Sequence, residues 1–502
     1  MSDFDLIVRG GRVLDGAGNP WVRADVGMRG DRIAAVGHDL GTAQRVLDVD
    51  DLVVSPGFID MHTHSDLQLL ATPLHEAKVR QGVTLEVLGH DGLSYAPVDD
   101  RVLGLLRSQL AAWNDDPAGF DWSWRTVGEY LDRLDEGIAV NAAYLIPHGS
   151  VRMLVMGEDD RPPTRHELDD MKRLVAEGLT QGGVGLSTGL TYAPAMYATD
   201  DELVELCAVM RDTGGFYAPH HRNYGLKAIE AYADSIEIGR RGGVPVHLTH
   251  AHLGFECNKG RGPELLSLVD EARSSGVDVT LDTYPYTAGS TYLSAYLPSW
   301  LHVGGPRELI ARLRDESLRE RIRIELEETG SDMLFGIPID WSVMVISGVK
   351  TDANRDLVGL SVAEAAARRR KRTIDLCCEL LADEELAVPS IAHIGNEENV
   401  RTIMTHPAHM AGSDGILVGE LPHPRGYGTF PRYLAEYVRK LGILTLADAV
   451  RKMTSLPAQR LGLHDRGLVR PGMAADIVVF DPDGIQDVAT YDEPRHHPVG
   501  IP

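Results

Sequence analysis

Residues 1 to about 55 alternate apolar and polar positions between Gly and Asp turns, in DLIVRGGRVLDGAG, ADVGMRGDRIAAVG and RVLDVDDLVVSPG. Period-two alternation broken in this way predicts the hairpins of a small antiparallel sheet. Near the other end, GLVRPGMAADIVVFDP predicts another strand pair around a Pro-Gly turn. The two ends are expected to meet in one β-sandwich, built from residues 1–58 and 465–502.

Between the ends, short apolar runs alternate with helical patterns such as HELDDMKRLVAEGLTQ and PELLSLVDEARSSG. Eight runs finish in polar residues: FIDMHTHSD, VTLEVLGHDG, AAYLIPHGS, GVGLSTGL, FYAPHHRN, VPVHLTHAH, VDVTLDTYPY and HMAGSDG. Eight strands alternating with helices predict an α/β fold, a closed (β/α)8 barrel over 59–464. In such a barrel the active site lies where the strands end, and the polar residues cluster there. The gap of about 291–400, after the seventh run, is far longer than one helix. It holds the basic helical stretch AEAAARRRKRTIDLCCELL and predicts an inserted subdomain or lid.

Composition narrows the classes of function. The 502 residues carry 49 Lys and Arg against 74 Asp and Glu, a net charge of −25. That surface disfavours nucleic acid and anionic membranes as partners and leaves a small-molecule substrate, with a homo-oligomer open. The acidic start and the lack of an apolar run of about 20 residues predict neither a secretory signal nor a membrane span. Cys207, Cys257, Cys377 and Cys378 show no disulfide framework, which fits a reducing cytoplasm.

The polar run ends hold candidate chemistry. His62 and His64, read as i and i+2 of a strand, face the same way into the barrel mouth, and two imidazoles on one face form half of a divalent-metal site. His220, His221 and Arg222 end the fifth run, the sixth holds His247, His250 and His252, and Asp414 ends the eighth. Histidines closing strands one, five and six, with an aspartate on eight, form a combination far more specific than any member. Asp60 and Asp66 flank the first pair and could accept hydrogen bonds from it, though ordinary loop carboxylates are the stronger reading.

The chain resembles the amidohydrolase superfamily and, within it, the N-acyl-D-amino-acid deacylase (D-aminoacylase) family. The likeness runs through PGFIDMHTHSD, LSTGLTYAP, DTYPYTAGST, SDG with HPRGYGTFPR, MTSLPAQRLGL and DRGLVRPGMAADIVVFDP. It implies a distorted barrel beside a β-sandwich and one or two zinc ions, or other divalent metals. His62 and His64 would hold one metal, and His220 and His250 the other. Asp414 would complete the metal ligands and be the general base and acid for metal-bound hydroxide attacking the amide. Tyr192 is expected to donate to the carbonyl, and Tyr284, Ser290 and Arg425 to meet the substrate's carboxylate or scissile carbonyl. Arg222 and His148 are further pocket candidates, each balanced against a packing role.

The sequence departs from the family pattern at several of these places. Where the family carries Gly-Asn-Cys-Gly with a ligand cysteine, this chain reads Gly89-His90-Asp91-Gly92, so Asp91 is expected to bind or bridge metal instead. His90 reads as a wall residue. Two residues after His250 the family's lysine is replaced by His252, a shorter group toward the substrate. His221, Asn223 and Ala195 also differ from the pattern. The leading reading is deacylation of an N-acyl-D-amino acid. Alternatives are a deacylase of an N-acyl or N-formyl amine, a hydantoinase-like cyclic amidase, and a catalytically inactive barrel serving in assembly. The strand-four run GVGLSTGL lacks the lysine that hydantoinases carbamylate.

Overall fold

The computed structural model describes residues 2–332 and 334–501. Eight strands run parallel in chain order: Phe58–Asp60, Val83–Leu88, Asn141–Pro147, Gly185–Gly189, Phe216–His220, Val246–Leu248, Val279–Thr283 and His409–Ala411. They are the eight apolar runs, numbered here one to eight. Their residues are almost all buried, as expected for a parallel sheet covered on both faces. Helix Arg165–Thr180 shows how the cover is set: Thr164 and Glu167 form a capping box that starts it, and Met171 and Val175 face inward. Strands one and eight do not form a continuous ladder. The barrel closes there through a Thr63–Gly415 bridge and bonds from Met61 N to Ala411 O (3.2 Å) and His64 N to Gly415 O (3.0 Å).

A second sheet joins both ends of the chain. Strand Ile477–Phe480 pairs antiparallel with Val53–Pro56, beside three strands of the first forty residues and Ala43–Asp48. Two expectations change. The sheet is mixed, because Phe4–Val13 runs parallel to both Ala43–Asp48 and Val53–Pro56. The C-terminal strand pair is one strand plus an isolated Arg32–Ala474 bridge, since the residues before it are spent on loop contacts such as Val469 N to Asp15 O (3.1 Å).

The long segment between strands seven and eight has a core and a sheet of its own. Gly289–Tyr292, Pro389–Ala392 and Met344–Ile346 form three antiparallel strands. Leu301, Leu313, Ile322 and Leu380 pack in its core. The basic stretch is two helices, not one: Val362–Arg369 and Thr373–Asp383, broken at Arg370, whose φ of 55° ends the first with bonds to Ala366 O and Ala367 O. The segment hangs over the barrel mouth and brings Tyr296, Leu334, Phe335 and Ile394 to the cavity beside the strand ends.

Candidate metal centre

Strand one stops at Asp60, so His62 and His64 stand on the loop beyond it rather than on a regular strand. They still converge, with ring centroids 5.4 Å apart. His64 Nε2 lies 3.1 Å and His62 Nε2 3.7 Å from Asp414 Oδ1. Across the mouth, His220 Nδ1 lies 3.0 Å from His250 Nε2 and 3.1 Å from Asp91 Oδ2. Asp91 stands between the two groups, with Oδ1 3.6 Å from His62 Nε2 and 3.4 Å from His250 Nε2, and Oδ2 3.6 Å from His64 Nε2. All six side chains are buried. Asp91, His250 and Asp414 have φ of 55°, 32° and 49°, a region non-glycine residues seldom occupy and one found at functional sites. The glycine of LSTGL makes room for this loop: a Cβ on Gly189 would lie 1.9 Å from Asp91 O.

The donors suit a divalent cation. Four imidazoles and two carboxylates are the ligand types zinc takes, and two overlapping triads, His62–Asp91–His250 and His62–His64–Asp414, offer atoms within 4.8 Å of one another. Both ring nitrogens of His62 and Asp91 Oδ1 are buried without a hydrogen-bond partner, a state proteins rarely leave uncompensated. Burial disfavours charge on Asp91, but His220 and His250 outweigh it and hold its carboxyl well below the usual range. Burial likewise opposes the charge on Asp414, and Arg425 and His62 prevail, keeping it ionised.

The outer faces of the ligand rings are also held. Thr191 Oγ1 lies 2.7 Å from His220 Nε2, and Tyr224 Oη 3.2 Å from His250 Nδ1. Asp282 accepts from His250 N (2.9 Å), pairs with His247 Nε2 (2.9 Å) and lies 3.6 Å from His62 Nδ1. Such partners fix ring orientation and basicity. Thr191, Tyr224 and Asp282 were not singled out in the sequence. Asp282 opens DTYPYTAGST and could have been, whereas Tyr224 carries no signal beyond its nearness to His220.

The chain matches the amidohydrolase family over residues 45–501. This chain belongs to the amidohydrolase family. The amidohydrolase is similar to the D-aminoacylase of Alcaligenes xylosoxydans xylosoxydans, at 37% identity over 99% of this chain and 92% of the relative. A solved D-aminoacylase described as having a binuclear metal centre superposes with a TM-score of 0.82 at 36% identity, covering 99% of this chain and 94% of that one. An N-acyl-D-glutamate deacylase from Bordetella bronchiseptica, complexed with zinc and a phosphonate mimic of the tetrahedral intermediate, gives 0.85 at 32%, with the same coverages.

A cavity opens beside the centre, lined by Asp91, His220, His250 and Asp414 on one side and by Tyr192, His252, Tyr284 and Ser290 on others. The Tyr192 hydroxyl is 2.9 Å from Thr291 Oγ1, and burial keeps it protonated, its pKa well above the usual value. Burial, with help from His250 and Arg425, pushes His252 down to about 3, so it is neutral, stacked on Tyr284 at 3.9 Å. Arg425 is not a free fork for a ligand. Its Nη1 lies 2.9 Å from Asp414 Oδ2, its Nη2 donates to Ser290 O (3.1 Å), and it sits 4.4 Å over the Tyr284 ring.

Other expected residues lie elsewhere in this amidohydrolase. Arg222 turns from the cavity and donates to Ala198 O (3.0 Å) and Asp200 (2.8 Å), where a half-exposed carboxylate outcompetes a buried mouth. His148 packs behind strand three against Glu202 (2.8 Å), which Arg152 also holds. Both are corrections to the pocket roles considered from sequence. His90 stacks on His62 at 3.9 Å, neutral through burial and His62. Asp60, at the end of strand one, and Asp66, in the loop after it, are buried and engaged rather than ordinary surface carboxylates. Asp60 binds Lys78, and Asp66 accepts from Gly89 N (2.8 Å) and Ser94 Oγ (2.6 Å). Among the described residues no helix is long and apolar enough to cross a membrane.

Proposed function

We propose that this chain hydrolyses the amide bond of N-acyl-D-amino acids whose side chain is apolar. One observation carries the reading: side chains from strand ends one, two, five, six and eight converge on one buried, hydrogen-bond-deficient point beside an open cavity. In this reading His62 and His64 would hold one cation and His220 and His250 a second, with Asp91 within reach of both. Such a cation would supply a water of lowered pKa and polarise the carbonyl. Asp414, ionised and aimed between His64 and the cavity, takes the proton of the attacking water and returns it to the departing nitrogen. Tyr192, a protonated donor, steadies the oxyanion. Arg425, buried behind the wall, holds Asp414 and braces Tyr284 and Ser290, which line the side of the cavity where the substrate's carboxylate would sit.

The choice of side chain follows from the far wall. Tyr224, Tyr296, Leu334, Phe335 and Ile394 line it, and no lysine or arginine is among the described lining residues. A second carboxylate, as in an acyl-glutamate, would be desolvated there without a cation. The partner is a small amide. The net charge of −25 and unpaired cysteines support a cytoplasmic enzyme that meets neither nucleic acid nor anionic membrane. The test is turnover of N-acetyl-D-leucine, N-acetyl-D-phenylalanine, N-acetyl-D-glutamate and their L-forms by zinc-reconstituted protein, alongside Asp414→Asn. The apolar D-substrates should lead by at least about tenfold, and Asp414→Asn should lose about a thousandfold in kcat while keeping its zinc. Full activity in Asp414→Asn would remove the assigned base, and turnover confined to carboxylate-free amides would remove the amino-acid substrate.

A further inference from the structure

A buried cation sits behind the metal centre. Lys78, in helix Glu76–Val79 after strand one, is 0% exposed, a rare state for lysine. Its ammonium lies 2.5 Å from Asp60 Oδ2 and 3.0 Å from Glu86 Oε1, and donates to Thr63 Oγ1 (3.1 Å) and Ser413 Oγ (2.7 Å). These partners come from strands one, two and eight or the loops that follow them. Burial works against the charge, but Asp60 and Glu86 raise the Lys78 pKa, so it stays an ammonium. Glu86 is tied further to His75 Nε2 (2.8 Å) and Ser65 Oγ (3.3 Å). Neither Lys78 nor its carboxylates line the cavity, so the cluster does not meet substrate.

What the ammonium grips is the turn bearing Asp414. Ser413 N donates to Asp60 Oδ1 (2.8 Å), and Ser413 Oγ accepts from both Lys78 and Gly415 N (3.0 Å). Asp414 N donates to His62 O (2.7 Å) from its left-handed backbone, which costs energy unless its surroundings enforce it. The ammonium presses close under the turn: a Cβ on Gly415 would lie 3.1 Å from Lys78 Nζ. This is also the barrel's weak seam, where strands one and eight share a single bridge. The few backbone bonds across the seam are reinforced here by one side chain, which reaches Asp60 and Thr63 on one side and Ser413 on the other.

We propose that Lys78 is a positioning residue for the hydrolysis: it clamps the Ser413–Gly415 turn to strand one and thereby sets the aim of the Asp414 carboxylate. The inference rests on Asp414 being the proton-transfer group. Misplacing such a group by about 1 Å costs on the order of a hundredfold in rate.

The experiment compares zinc-reconstituted Lys78→Met, Ser413→Ala and Asp414→Asn with the parent enzyme on N-acetyl-D-leucine, measuring kcat, KM and zinc content. Lys78→Met strands two carboxylates and risks misfolding. Ser413→Ala leaves Lys78 paired with Asp60 and Glu86 and removes its hold on the turn together with the Ser413 Oγ bonds to Gly415 N and His62 O, so the two variants are read side by side. In each folded variant kcat should fall about 10- to 100-fold, with KM within about twofold and zinc content unchanged. Parent-like kcat in Ser413→Ala, or in folded Lys78→Met, overturns the proposal. So does a loss of zinc matching the loss of rate, because the cluster would then act on His62 and His64 instead. An active Asp414→Asn would show instead that the base was misassigned, which separates that failure from this one.

Discussion

Replacing Asp91 by Asn tests the centre most directly. The carboxylate lies 3.1 Å from a nitrogen of His220, 3.4 Å from one of His250 and 3.6 Å from one each of His62 and His64. Any cation chelated by either histidine pair is therefore within direct reach of it. Two unit charges at about 4 Å in an effective dielectric of about 20 interact by about 4 kcal/mol. A divalent ion doubles that figure, and the neutral oxygen that Asn keeps returns part of it. A net loss of about 4 kcal/mol corresponds to roughly a thousandfold in affinity. Zinc content after dialysis, with competition against a chromogenic chelator, reads the effect. Asp91→Asn should drop from two ions to one and bind the remaining ion at least about a hundredfold more weakly. Asp91→Cys should recover binding, because thiolate is a good zinc ligand. Unchanged stoichiometry and affinity in folded Asp91→Asn would refute the bridging role and leave Asp91 as a partner of His220 alone.

Two further outcomes follow from the same geometry. In the ion-free protein burial lowers the His62 pKa, but Asp414, Asp282 and Asp91 raise it to about 9. Below that value His62 carries a proton that a cation must expel, so zinc affinity should rise with pH up to about 9 and level off above it. Calorimetry in buffers of different ionisation enthalpy should show about one proton released from this site at pH 7.5, and none would contradict it. Arg222→Ala removes a partly exposed ion pair with Asp200 and a hydrogen bond to Ala198 O, both away from the cavity, so kcat/KM should stay within about twofold and stability should fall by no more than about 2 kcal/mol. A large rise in KM would return Arg222 to the substrate.

The eight strands and the polar residues at their ends were legible in the sequence, because a parallel barrel demands continuous apolar runs and puts its chemistry where they stop. HTH, SDG and the histidines of strands five and six followed from that rule, whereas Asp91 was singled out only by the family resemblance, as the residue at the place of its ligand cysteine. The sequence could not decide which polar residues face inward. Arg222 and Arg425 read alike as cations beside strand ends, yet one pairs with Asp200 at the rim and the other is buried against Asp414. Lys78 gave no signal at all, lying in an ordinary four-residue helix. A chain's local pattern places the strands to within a few residues, since that depends on near neighbours, although strand one stops at Asp60, short of the histidines read onto it. The partner of a buried charge depends on which distant segments the closing barrel brings within 3 Å, and only the tertiary structure settles that: Asp60 and Ser413 are 353 residues apart and share one ammonium.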